Sequence, residues 1–139
     1  NVCDVAIANS YYMPIMLSRD DQRAWGQSAR VVFPDQDGKG SYVLTSGVAL
    51  TKADRAVDAA TKFVEFLVSN YGQTAITNTT YEFPVIGGVA LPEPLMALGK
   101  EEAGVSAATF KSNFVPLGKI EDQRAKVTAI LDEINFDQK

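Results

Sequence analysis

The chain contains no histidine among its 139 residues. A Ser-His-Asp triad, a Cys-His pair and a histidine zinc site are excluded from these residues alone, because each needs an imidazole. It has a single cysteine, Cys3, so no disulfide closes within the chain and thiol usage does not identify a compartment. No stretch approaches the roughly eighteen consecutive apolar residues that a membrane-spanning helix needs. Internal repeats and low-complexity tracts are absent. An excess of positive charge is missing too, since 13 basic residues against 17 acidic ones give a net charge of −4. An acidic chain with scattered lysines is unsuited to coating phosphate backbones, so nucleic acid is not an expected partner. Residues 1–17 lack a basic leader, and Asp4 interrupts their apolar run, so they do not read as a signal peptide. What is present is ordinary globular usage, with 46% hydrophobic, 22% charged and 9% aromatic residues. Disordered, collagen-like and disulfide-scaffold classes do not have that balance.

Val2–Ala8 is short, apolar and partly β-branched, which predicts a strand buried on both faces. A buried strand already under way at the first residues suggests a piece of a longer chain. Asn9 and Ser10 follow, and either residue type can cap a helix. Tyr11–Leu17 reads as that helix, with Pro14 tolerated because it lies in the first turn. Ser18–Ser28 is polar and reads as a surface helix with Trp25 packed beneath it. Ala29–Phe33 reads as a second strand stopped by Pro34, and Asp35–Gly40 as a turn-rich connection. Ser41–Ser46 reads as a third strand, which Gly47–Leu50 continues or restarts. Asp54 is the expected cap of the clearest helix, where Val57, Ala60, Thr61, Val64, Leu67 and Val68 recur at helical spacing. Phe63 and Phe66 on that helix are expected in the core. Gly72 is expected to begin a break before a short continuation through Thr74–Asn78. Pro84, Gly87, Gly88, Pro92 and Pro94 make Tyr81–Leu98 extended or looped. Phe110–Pro116 reads as irregular, and Ile120–Ile134 as a closing amphipathic helix. This order is α/β with a thin core.

The adjacent phenols Tyr11 and Tyr12 stand where the first strand ends and a helix begins, the usual ligand crevice of α/β sheets. They could stack on a ligand, donate hydrogen bonds or ligate a hard metal as phenolates; they could equally be half-buried packing residues. Asn9 and Ser10 cap the helix or, as an amide and a hydroxyl at a helix start, take an anion. Gly38-Lys39-Gly40 lacks the spacing of a phosphate loop. Glu101-Glu102 and Glu121-Asp122 read as solvated helix ends, and Asn78-Thr79-Thr80 is a short match to a glycosylation sequon.

The run Cys-Asp-Val-Ala-Ile-Ala-Asn-Ser-Tyr-Tyr (3–12) resembles the tyrosine-pair segment of the bacterial periplasmic ferric-iron-binding proteins, the substrate-binding components of iron ABC transporters. Further blocks resemble that family in its own order: 31–42 (Val-Val-Phe-Pro-Asp-Gln-Asp-Gly-Lys-Gly-Ser-Tyr), 45–53 (Thr-Ser-Gly-Val-Ala-Leu-Thr-Lys-Ala), 60–69 and 81–85. The resemblance implies the C-terminal part of a two-lobe type II periplasmic-binding-protein fold. Residues 1–139 would contribute to both lobes, and an N-terminal portion of the same protein would supply the rest of the cleft. It implies Tyr11 and Tyr12 as phenolate ligands and Asn9 at a position that hydrogen-bonds a synergistic anion in some members. Met13-Pro14 departs from many relatives, leaving the ligands alone but bearing on the pocket wall.

Ferric iron is hard and highly charged, and oxygen donors suit it. The expected function is therefore a non-enzymatic iron-transport protein of the bacterial periplasm, or a cell-surface lipoprotein. It would hold Fe³⁺, with or without carbonate, phosphate or citrate, and deliver it to an ABC transporter permease. An alternative is a binding protein for another small anion or oxyanion. A tyrosine acid–base enzyme has neither a carboxylate pair nor a histidine to support it.

Overall fold

The computed structural model describes residues 3–53, 55–99 and 105–136. Val2, the expected cap Asp54 and the pair Glu101-Glu102 lie outside them. In chain order the elements are α1 (Tyr12–Ser18), α2 (Arg23–Gln27), β1 (Ser41–Val43), α3 (Val57–Leu67), α4 (Asn70–Thr80), α5 (Glu93–Met96), β2 (Ser112–Phe114), α6 (Leu117–Glu121) and α7 (Arg124–Glu133). The arrangement is mixed helix and strand, and the core is thin. Phe33, Leu95, Leu98 and Ala107 are its buried hydrophobics, with Met13, Val31, Tyr81, Phe83, Leu91, Val105 and Phe110 packed against them. Phe110 stacks on Phe33 at 4.4 Å and meets Phe83 at 5.2 Å in a tilted contact. Aromatic pairs at such spacings add to the area they bury.

β1 and β2 pair in parallel, with Ser41 opposite Ser112 and Val43 opposite Phe114. So short a ladder is marginal on backbone bonds alone. Gln36 reinforces it: its amide oxygen accepts the Lys111 N–H at 2.7 Å, and its amide nitrogen donates to the Ser41 hydroxyl at 3.0 Å. Gly40, at φ +98°, makes the close approach possible, since a Cβ there would stand 2.5 Å from the Lys111 carbonyl oxygen. The Asp35–Gly40 turn thus serves to bring two strands together. Its Lys39 N–H is taken by the Asp35 carboxylate at 2.9 Å and its Gly40 N–H by the Asp35 carbonyl at 2.9 Å.

Several sequence expectations are corrected. Residues 3–8 are exposed and in no sheet, with Val5 85% and Ile7 104% exposed. Ala29–Phe33 is likewise in no sheet, although Phe33 is buried. The third strand is confined to β1. A run of β-branched residues becomes a strand only when a neighbour presents its own free N–H and C=O groups. Among the described residues only β1 and β2 do so for each other. Trp25 is 64% exposed on α2, and Phe63 and Phe66 are exposed, so none of the three belongs to this core. The closing helix is divided into α6 and α7, both without a buried residue. The segment 110–116, expected irregular, carries β2.

Gly72 does not break a helix. The break falls at Val68-Ser69, and Ser69 caps α4 by accepting the Gly72 N–H at 3.1 Å. Gly72 is needed because α3 ends against it: a Cβ would stand 2.2 Å from the Phe66 carbonyl oxygen. The following residue, Gln73, is buried, donates to the Leu67 carbonyl at 2.9 Å and accepts the Val85 N–H at 2.8 Å. Gly72→Ala should therefore force the α3–α4 corner apart and destabilise the full-length protein by roughly 1–3 kcal/mol, the usual cost of overpacking. Urea unfolding of the variant beside its parent measures this, and an unchanged midpoint would contradict it.

Candidate functional site

The tyrosine pair sits at the entrance to α1. The backbone closes the first turn by itself: the Tyr12 N–H donates to the Asn9 carbonyl at 3.3 Å, and the Met13 N–H to the Ser10 carbonyl at 3.4 Å. Tyr11 is the residue at the cap position, with helical φ and ψ and no side-chain capping bond. The expected side-chain caps, Asn9 and Ser10, are thus corrected. The N–H groups a capping side chain would have taken are already satisfied by backbone carbonyls. The Asn9 amide instead donates to the Tyr11 hydroxyl at 3.2 Å.

The residues that follow decide where the rings go. Met13 packs against the core and Pro14 is fully buried, so this face of α1 is turned inward. Met13-Pro14 therefore forms part of the anchor beneath the tyrosines. Tyr11 is half-buried, Tyr12 is 50% exposed, and their ring centroids are 4.5 Å apart at 48°. The structure brings Asn9, Tyr11 and Tyr12 together, with half-buried Ser10 between them in the chain.

Hydrogen bonding to Tyr11, then the charge Tyr11 would carry, then desolvation hold the Tyr12 phenol above its ordinary value. Charge on Tyr11 thus opposes ionisation of Tyr12. A cation placed between two phenolates reverses that repulsion. A neutral ligand or an anion does not.

Among the described residues no group of three or more His, Cys, Asp or Glu side chains could hold a metal ion. A cavity of about 270 Å³ lies beside α1, lined by Met13, Leu17, Val31 and Leu98 among others, and neither tyrosine lines it. Glu121 ends α6 and Asp122 follows it, both exposed, as expected of solvated helix ends. Asn78 lies in the last part of α4 and its side chain donates to the Thr74 carbonyl at 2.8 Å. Among the described residues no helix is long and apolar enough to cross a membrane.

No protein-family profile matches the chain. It is 36% identical over 135 residues to iron uptake protein A1 of Synechocystis sp., an alignment covering 96% of this chain and 35% of that protein. It is 32% identical over 109 residues to the major ferric iron-binding protein of Neisseria meningitidis serogroup B, covering 78% of this chain and 32% of that one. Its fold superposes on the ferric binding protein from Campylobacter jejuni with a TM-score of 0.78 and 32% identity, over 93% of this chain and 39% of the other. The chain thus spans about a third of the length of the relatives it matches. The fold it shares over that span is part of the type II periplasmic-binding-protein architecture, α/β as expected. Over nearly its whole length, then, the chain agrees in sequence and in fold with part of the ferric-iron-binding proteins.

Proposed function

We propose that the full-length protein captures Fe³⁺ in the bacterial periplasm, or as a cell-surface lipoprotein, and delivers it to the permease of an ABC transporter. Residues 1–139 are its C-terminal portion, contributing to both lobes, and an N-terminal portion completes the cleft. One observation carries this reading: two adjacent phenols stand together at the start of a helix whose inner face is locked in the core. They do so in a chain whose relatives are named for iron uptake and ferric iron binding. Those names are of uptake and binding, and the proposal contains no catalytic step.

Tyr11 and Tyr12 supply phenolate oxygens, hard donors that suit a hard cation, and together cancel two of its charges. They cannot fill an octahedral shell. The remaining ligands come from the N-terminal portion and from water or a synergistic anion such as carbonate, phosphate or citrate. Asn9 and Ser10 would offer that anion an amide N–H and a hydroxyl. Closure of the lobes around the ion gives the form that docks on the permease.

Colour tests the assignment. Iron–phenolate bonding absorbs visible light, whereas an oxyanion binder using neutral phenols is colourless. Tyr11→Phe and Tyr12→Phe each delete one donor oxygen and keep the ring. Each should shift or abolish the visible band and weaken retention against citrate about tenfold or more, by loss of one charged ligand. If both variants hold iron and colour like the parent, the tyrosines are not the ligands.

Acid should release the ion. Free phenols hold their protons below about pH 10, and Tyr12 is displaced further up. Binding as phenolates must therefore expel up to two protons at every working pH. Affinity then falls as pH falls, by up to about tenfold per unit for each proton expelled. Titration of iron binding from pH 8 to pH 5, corrected for hydrolysis of free iron, should show this slope. A flat corrected profile would move the reading to an oxyanion held by neutral phenols.

A further inference from the structure

We infer that Asn9 is a positioning residue for the bound ion, acting through Tyr11; the inference rests on the phenolate reading above. The Asn9 amide nitrogen lies 3.2 Å from the Tyr11 hydroxyl oxygen, in donor geometry. The backbone of Asn9 is itself held, because its carbonyl accepts the Tyr12 N–H at 3.3 Å and so belongs to the first turn of the helix region. The donor is therefore aimed by the same turn that presents the two rings.

The polarity of the contact suits metal binding. A phenol can donate or accept, but a phenolate oxygen only accepts. An amide N–H beside it remains a compatible partner after the proton leaves, and the bond becomes charge-assisted and stronger. Asn9 then occupies one lone-pair direction of the Tyr11 oxygen and leaves another to the ion, fixing the direction from which the ion is approached. It also withdraws electron density from that oxygen. The second N–H of the same amide stays available to an anion, so the two roles are chemically separate. Outer partners of metal ligands commonly act in this way, orienting the ligand and tuning its basicity.

The test uses the full-length protein loaded with Fe³⁺ in buffer free of phosphate and carbonate. Asn9→Leu keeps the side-chain size and removes the donor. It should move the charge-transfer band to longer wavelength, because an unshared phenolate is a better electron donor. Loss of the orienting bond outweighs the stronger donor, so retention against citrate should fall about 10- to 100-fold. Asn9→Gln, which keeps an amide, should recover part of both changes. In the metal-free protein, the Asn9 side-chain amide resonances should move in Tyr11→Phe. An Asn9→Leu band at the parent's wavelength would overturn the role. So would a change that appears only when phosphate or carbonate is added, which would make Asn9 an anion contact alone. Amide resonances insensitive to Tyr11→Phe would also overturn it. A colourless parent would remove the iron reading itself and this role with it, an outcome distinct from a coloured parent with an unmoved variant.

Discussion

The packing of half-buried Met13 and the burial of Pro14 are the constraint from which the site follows. A helix has one inward stripe, and consecutive residues point about a quarter-turn apart or slightly more. Met13 packs on the Phe33–Leu95–Leu98 cluster and Pro14 is buried, so Tyr12, more than a quarter-turn from either, emerges half-exposed. Tyr11, three residues before Pro14, shares its side of the helix and is half-buried. Proline adds stiffness, since its fixed φ removes one alternative backbone state at the point where the rings are presented. The anchor is apolar and the working surface polar, and four consecutive residues divide into the two roles.

Around that anchor the chain relies on side-chain amides as much as on apolar burial. Gln36 ties the 34–41 turn to Lys111, across 75 positions of sequence. Gln73 ties the end of α3 to Val85, and the fully buried Thr77 hydroxyl donates to the Glu82 carbonyl at 2.6 Å. Each clamp satisfies backbone groups that a wider sheet would have paired. Leaving one unsatisfied in a buried place costs about 1–3 kcal/mol, so these few bonds carry weight beyond their number. They also explain how segments outside any ladder, such as 82–85, keep a defined course.

The chemistry of the site follows from a conflict that the fold imposes. Two phenols are held with ring centroids 4.5 Å apart, where ionisation of one opposes ionisation of the other. The arrangement is unfavourable for two bare anions and favourable for two anions sharing a cation. In the proposed site, charge complementarity of this kind would select for high positive charge on the ligand, and the oxygen donors for hardness. Protons would compete for the same oxygens and so couple capture to pH without a dedicated switch.

The tyrosine pair, its place at a helix entrance, the α/β character and the long helix over 57–67 were legible in the sequence, because adjacency, cap position and helical spacing are local properties. So was the tolerance of Pro14 in a first turn. Strand identity was not legible. Val5 and Ile7 carry the residue types of a buried strand, yet they lie exposed, because a strand is defined by a partner and composition cannot supply one. Phe63 and Phe66 mislead for the same reason: helical spacing marks an apolar face but does not say what covers it. Gly72 read as a breaker when its role is close approach, a distinction that depends on the Phe66 carbonyl arriving from the preceding helix. The Asn9 amide on Tyr11 spans only two residues, yet it too needed the structure. Whether an amide caps a backbone N–H or reaches a phenol depends on which groups the first turn has already satisfied. Local chemistry was written in the residues; partnership was decided by tertiary structure, because a hydrogen bond or a buried face needs a second surface that sequence position alone does not name.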